Sequence, residues 1–293
     1  MIAVTAAADG RGLAVEESGA PGGYPVFLFH GTPGSRLGPI PRAMVLYQLG
    51  IRLITFDRPG YGRSDRRIGR AVADVADDVR QIADFLHLRE FAVLGRSGGG
   101  PHALACAALL PGRITRVAVL VGLAPTHAEG LDWFEGMKAS NAKEYLAVRS
   151  QGRLISSRLR LIAERIRENP TQLIASLYDD LTQSDRKVVA DAGIRRKLIE
   201  TYVEAFRISA DGWIDDLLAF CSPWGFDPRD IVVPTMLWHG ANDTFSPVGH
   251  SRWLAANIPT STVIVQSGTA HFGAFDILPD VLSWLVESNA QYT

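Results

Sequence analysis

"VLGRSGGGPHALA", Val93–Ala105, sets one serine, Ser97, among Gly95, Gly98, Gly99 and Gly100. An apolar run precedes the serine and an alanine-rich stretch follows it. The first reads as a strand and the second as a helix, so the serine falls on the turn between them. The pattern Gly95-Arg96-Ser97-Gly98-Gly99 matches G-x-S-x-G, which holds a serine in a strained conformation with its hydroxyl exposed. Its neighbours must be tiny because the helix packs close against the strand. Strain of this kind costs about 1–3 kcal/mol and survives where function uses it. A glycine turn that binds phosphate is the competing reading. A Walker loop is excluded, because no Gly-Lys-Ser/Thr follows.

Working outward, further short apolar runs read as strands: Tyr24–Gly31, Ile51–Asp57, Phe91–Gly95, Val117–Gly122, Thr235–Gly240 and Ser261–Gln266. Their near-continuous Val, Ile, Leu and Phe is the pattern of strands covered on both faces of a parallel sheet. "GLAVEESG" near the start predicts antiparallel edge strands. Between strands, Ala71–Leu88 places Val72, Val75, Val79, Ile82, Phe85 and Leu86 at helical spacing. This alternation predicts an α/β fold. It breaks between Pro125 and Phe220, where only amphipathic helix is legible. In Arg153–Glu168 the apolar residues Leu154, Leu161, Ile162 and Ile166 define one side, and Asn169-Pro170 ends the helix. The chain therefore divides into a core, residues 1–124 and 221–293, and a helical cap, residues 125–220. The cap covers the carboxyl edge of the sheet, where open α/β sheets bind ligands.

Composition narrows the function. The chain has 293 residues, 47% of them hydrophobic, enough for a large core. Its net charge of −1 favours neither nucleic acid nor a membrane surface. No apolar run approaches the roughly 20 residues that cross a bilayer. The start lacks a basic segment followed by a long apolar one. Cys106 and Cys221 make neither a metal-ligand pattern nor a disulfide framework. The expected setting is cytoplasmic, the expected partner a small acyl molecule, and a homodimer stays open.

A serine hydroxyl is a weak nucleophile and needs a base held by an acid. Asp243 in "LWHGANDTFSP" and His271 in "VIVQSGTAHFGAF" each follow a strand end, in the order Ser…Asp…His. Adjacent parallel strands would carry both to the edge that bears Ser97. The other histidines read as structural, His30 as a shaper of its loop. The backbone amides of Gly98 and of Thr32 in "FHGTPGSR" are the expected oxyanion donors.

Together, "HGTPGSR", "DRPGYGRSD", "GRSGGG" and the late Asp243 and His271 resemble the α/β-hydrolase fold superfamily over almost the whole chain. That resemblance implies a mostly parallel eight-stranded sheet with helices on both faces and a cap inserted after the sixth strand. "HGTP" is similar to a loop of epoxide hydrolases and dehalogenases, but those enzymes use an aspartate where this chain has Ser97. A serine esterase-like member is therefore expected, acting on an ester, lactone or thioester through an acyl-enzyme, without metal or organic cofactor. Carbon–carbon hydrolysis, aminopeptidase, lyase or cyclase chemistry, and a non-catalytic receptor, stay open as alternatives. An aminopeptidase would gather cap carboxylates such as Glu135, Glu144 and Asp179–Asp180. Arg96, Trp133, Phe134 and Trp213 are candidate substrate contacts. The cap arginines Arg149, Arg153, Arg158, Arg160, Arg165 and Arg167 read as a solvated face or as an anion site.

Overall fold

The computed structural model describes residues 2–151, 153–171, 178 and 180–287. Eight strands form one sheet: β1 (Ile2–Ala6), β2 (Gly12–Gly19), β3 (Tyr24–Phe29), β4 (Ile51–Phe56), β5 (Phe91–Arg96), β6 (Ile114–Leu120), β7 (Thr235–Gly240) and β8 (Ser261–Gln266). Their order is β1-β2-β4-β3-β5-β6-β7-β8. Strand β2, the "GLAVEESG" stretch, is antiparallel to both neighbours, and β4, β3 and β5 to β8 run parallel to one another.

Alternate residues of the central strands enter two apolar layers, as the period of two requires. Phe27, Phe29, Phe91 and Val93 pack with Val75, Val79 and Ile82 of helix α2 (Val75–Phe85) and Leu104 of α3 (Gly99–Leu109). Val26, Leu28, Ala92 and Leu94 pack on the opposite face with Leu46 of α1 (Ala43–Gln48) and with residues of the C-terminal helix. Helices thus cover both faces. Each buried Val, Leu or Phe contributes about 1.5–3 kcal/mol. Helix α2 starts later than its periodicity predicts, because the Asp74 carboxylate accepts the Ala71 amide (2.7 Å) and closes a turn there.

One strand departs from expectation. Ser261–Gln266 is as apolar as the others, yet β8 is the edge of the sheet, and Val263, Ile264 and Val265 are 36–42% exposed. Apolar continuity identified a strand correctly but not its neighbours.

Among the described residues, the chain between β6 and β7 is helical: α4 (Ala139–Gln151), α5 (Arg153–Glu168), α6 (Gln183–Val189), α7 (Ala192–Ala205) and α8 (Asp211–Phe220). Helix α5 turns part of the expected face inward: Ile166 is buried and Ile162 packs beside it, but the buried stripe is rotated away from Leu161. Leu159, Ala163 and Ile166, at i, i+4 and i+7, are buried, whereas Leu161 is 49% exposed. Helices α9 (Gly249–Asn257) and α10 (Leu278–Val286) complete the core. Among the described residues, no helix is long and apolar enough to cross a membrane.

Candidate active site

Ser97 follows the last residue of β5 and precedes α3, with φ of 54°, the left-handed region that non-glycine residues rarely adopt. Its amide donates to the Leu120 carbonyl (2.8 Å) and its carbonyl accepts the Gly100 amide (2.8 Å), so the turn is held from both sides. The flanking glycines are required by contact. A Cβ on Gly95 would lie 2.4 Å from the Gly99 carbonyl oxygen. One on Gly98 would lie 2.3 Å from Thr32 Oγ1, which places the elbow directly against the loop after β3. Among the described residues, the amides of Thr32 and Gly98 have no acceptor in the protein. They are two donors available to a ligand.

Asp243 follows β7 and His271 follows β8. His271 Nδ1 donates to Asp243 Oδ2 at 2.7 Å. Asp243 Oδ1 accepts the amides of Phe245 (2.8 Å) and Ser246 (3.1 Å), which fixes the carboxylate in its own turn. Burial opposes its ionisation, but His271 and His239 outweigh that and hold it below the usual carboxylate range. The bond to Asp243 uses the Nδ1 proton, which leaves Nε2 as the free nitrogen. Ser97 and His271 line the same cavity of about 560 Å³, and no hydrogen bond joins them among the described residues. Thr32 lines it too.

His30, His102 and His250 do not line the cavity. His30 Nε2 accepts the Arg58 amide (3.2 Å), so Nδ1 carries the proton and donates to the Gly31 carbonyl (2.8 Å). Burial lowers its pKa well below the ordinary value. Burial likewise lowers His102 to about 4 and His250 to about 3.

Four candidate substrate contacts separate cleanly. Arg96 and Trp213 line the cavity. Trp133 and Phe134 do not. Trp133 donates its indole N–H to the Ala124 carbonyl (2.8 Å) and packs edge-on against Phe134, Tyr145 and His250. Those two aromatics pack the start of the cap against the core. The cap arginines also divide. Arg158 and Arg165 reach the cavity, whereas Arg160 pairs with Asp211 and Arg167 bonds the Ile208 carbonyl. Of the acidic candidates, Glu144 and Asp180 line the cavity, Glu135 does not, and Asp179 lies outside the described residues.

Sequence reasoning missed the support beneath the Thr32 loop. Asp216, fully buried on α8, accepts from Thr32 Oγ1 (2.5 Å), Arg58 (2.5 Å), Tyr61 (2.8 Å) and, on its other oxygen, Arg70 (2.6 Å). Arg58 also grips the carbonyls of His30 and Gly31. Burial works against the Asp216 charge, but Arg58 and Arg70 overcome it and hold its pKa well below normal. Asp185, buried on α6, accepts the Phe272 amide (2.7 Å) and so fastens the cap to the residue after His271. The available signal was the unusual density of charge in "DRPGYGRSD" and "DGWIDD"; nothing local joins the two.

Glu144 gives a pH prediction. Burial pushes its pKa up to about 7, against the pull of Arg158 and with help from Asp180. Its folded value lies above the unfolded one, so its contribution is fully present below about pH 4.5 and is lost as pH rises through about 7. Glu144→Gln is therefore expected to stabilise the protein by about 1–3 kcal/mol at pH 8.5 and to leave it unchanged at pH 4. Thermal unfolding of both proteins at the two pH values checks this; equal gains at both would contradict it.

Among the described residues, no group of three His, Cys, Asp or Glu side chains is placed to hold a metal ion. The fold and the elbow define a class, and the chain belongs to the α/β-hydrolase fold family, whose profile matches residues 24–276. It is 26% identical over 297 residues to a non-heme haloperoxidase of Rhodococcus erythropolis, covering 95% of this chain and 97% of that protein. A proline iminopeptidase of Arabidopsis thaliana is 31% identical over 122 residues, 41% of this chain; the match spans only 32% of that relative's length. The crystal structure of a hydrolase from Pseudomonas aeruginosa PA01 superposes with a TM-score of 0.70 at 20% identity, covering 98% and 97% of the two chains.

Proposed function

We propose that the protein is a serine hydrolase of carboxylic esters, lactones or thioesters, with Ser97 as nucleophile, His271 as base and Asp243 as its orienting acid. The observation that carries this reading is convergence. A strained serine, an imidazole whose far nitrogen has no partner among the described residues and the Thr32 loop line one cavity, and Gly98, whose amide is likewise unused, follows the serine and abuts Thr32. His271 Nε2 removes the Ser97 proton as Oγ attacks the carbonyl carbon. The Thr32 and Gly98 amides receive the oxyanion, and His271 then protonates the leaving alcohol. Water attacks the acyl-enzyme with the same base and releases the acid. Asp243 keeps the tautomer and stabilises the imidazolium without taking the proton. The missing serine–histidine bond is ordinary for an unliganded site, where such bonds tighten only with substrate. Every group this reaction needs is supplied by the chain itself.

An aminopeptidase would need ionised carboxylates for a substrate ammonium. Of the two in the cavity, Asp180 is paired with Lys138 (2.6 Å) and Glu144 is half-protonated near neutrality, which favours the ester reading. Treatment with a fluorophosphonate followed by peptide mapping tests the assignment. The adduct is expected on Ser97, with parallel loss of p-nitrophenyl ester turnover; turnover that survives complete labelling of Ser97, or an inactivating adduct on another residue, would reject it.

A further inference from the structure

Arg96 is the residue before the nucleophile, and it differs from every other deeply placed arginine near the site. Arg36, Arg58 and Arg70 each hold a carboxylate at 2.5–2.6 Å. Arg96 holds no carboxylate or carbonyl among the described residues. Its guanidinium lies over the Phe275 ring, 4.5 Å from the centroid, on the turn that carries His271. On the other side it passes close to Gly31, where a Cβ would come within 3.3 Å of its Nη2. Arg96 lines the cavity beside Ser97, and its guanidinium brings five N–H donors and no acceptor. The nearby charged group, Asp243, is already committed to His271 and two amides. Burial keeps the neighbouring Tyr202 phenol neutral.

A half-buried guanidinium that lines a half-enclosed cavity and holds no carboxylate is free to receive one, and partial removal from water strengthens such a pair. We infer that Arg96 receives a carboxylate of the substrate, so that the preferred substrates are acyl compounds bearing a second, free carboxylate a few bonds from the scissile carbonyl. This rests on the ester-hydrolase reading of Ser97. The fork of the guanidinium matches a carboxylate in two parallel hydrogen bonds. Arg158 and Arg165, on the cap side of the cavity, raise the local concentration of anions.

The test compares mono-(4-nitrophenyl) adipate with its terminal amide, mono-(4-nitrophenyl) adipamate, which has the same shape without the charge. Wild type is expected to favour the acid by about tenfold to hundredfold in kcat/KM. Arg96→Gln should abolish that ratio, Arg96→Lys should restore part of it, and Arg160→Gln, which removes an equal charge outside the cavity, should leave it intact. Calorimetric binding of adipamate against adipamide, which differ by one carboxylate, reads the same preference without turnover. Equal handling of acid and amide by wild type, or a preference that survives Arg96→Gln, would overturn the inference. If Ser97 takes no fluorophosphonate, the ester reading fails by itself, and the calorimetric pair still decides whether Arg96 holds a carboxylate.

Discussion

Ser97→Ala is expected to lower ester turnover by about ten-thousandfold to a millionfold, with little change in stability. The size follows from the division of labour. Without the oxygen there is no acyl-enzyme, and His271 and Asp243 have nothing to activate. The two amides and the cavity still bind and polarise a carbonyl, so catalysis above the background in water persists. Stability should hold because the Ser97 hydroxyl has no hydrogen-bond partner among the described residues, while alanine suffers the same strain at φ 54°. Ser97→Gly separates the two effects. It abolishes turnover equally, yet should stabilise the fold by about 1 kcal/mol, because glycine adopts this conformation freely. Steady-state rates and thermal unfolding of both variants check this. Turnover within tenfold of wild type in either would remove Ser97 from the mechanism.

Asp216→Asn should destabilise the protein by about 3–5 kcal/mol, although it changes one atom in a side chain that touches no substrate. Arg58 and Arg70 are enclosed with Asp216, at 0% and 3% side-chain exposure. Their desolvation is tolerable only while a carboxylate answers them. An amide cannot accept on both ends, so one guanidinium would face an N–H₂ group. A loss of this size lowers the unfolding midpoint by roughly 6–15 °C. Activity should fall as well, by about tenfold or more, because the same carboxylate holds Thr32 Oγ1 and hence the amide proposed to meet the oxyanion. The fall should appear in kcat, with KM little changed, since the oxyanion forms only after binding. A melting point within 2 °C of wild type, roughly 1 kcal/mol or less, would show that the cluster contributes little.

These two residues mark the division between what was legible and what was not. The placement of Ser97 and Gly98 is readable because it is local: a strand end, a tight turn and a helix start within a dozen residues, with Thr32 on a loop that follows another strand end. Asp243 and His271 are readable because parallel strands deliver their ends to one edge. Trp133 and Phe134 misled, since an aromatic in a cap fits a cavity wall and a packing seam equally well by sequence. Only the position of the Ala124 carbonyl chose the seam.

The chain alone determined the order of strands and helices, the helical insertion and the residues at the strand ends, because hydrophobic periodicity and turn chemistry act over short distances. Tertiary structure decided the rest: that β8 is an exposed edge, that Asp216 gathers Arg58, Arg70, Tyr61 and Thr32, and that Arg96 stands unpaired in the cavity. The physical reason is common to all three. Burial and charge pairing are set by which distant segments meet, and no local pattern encodes that meeting.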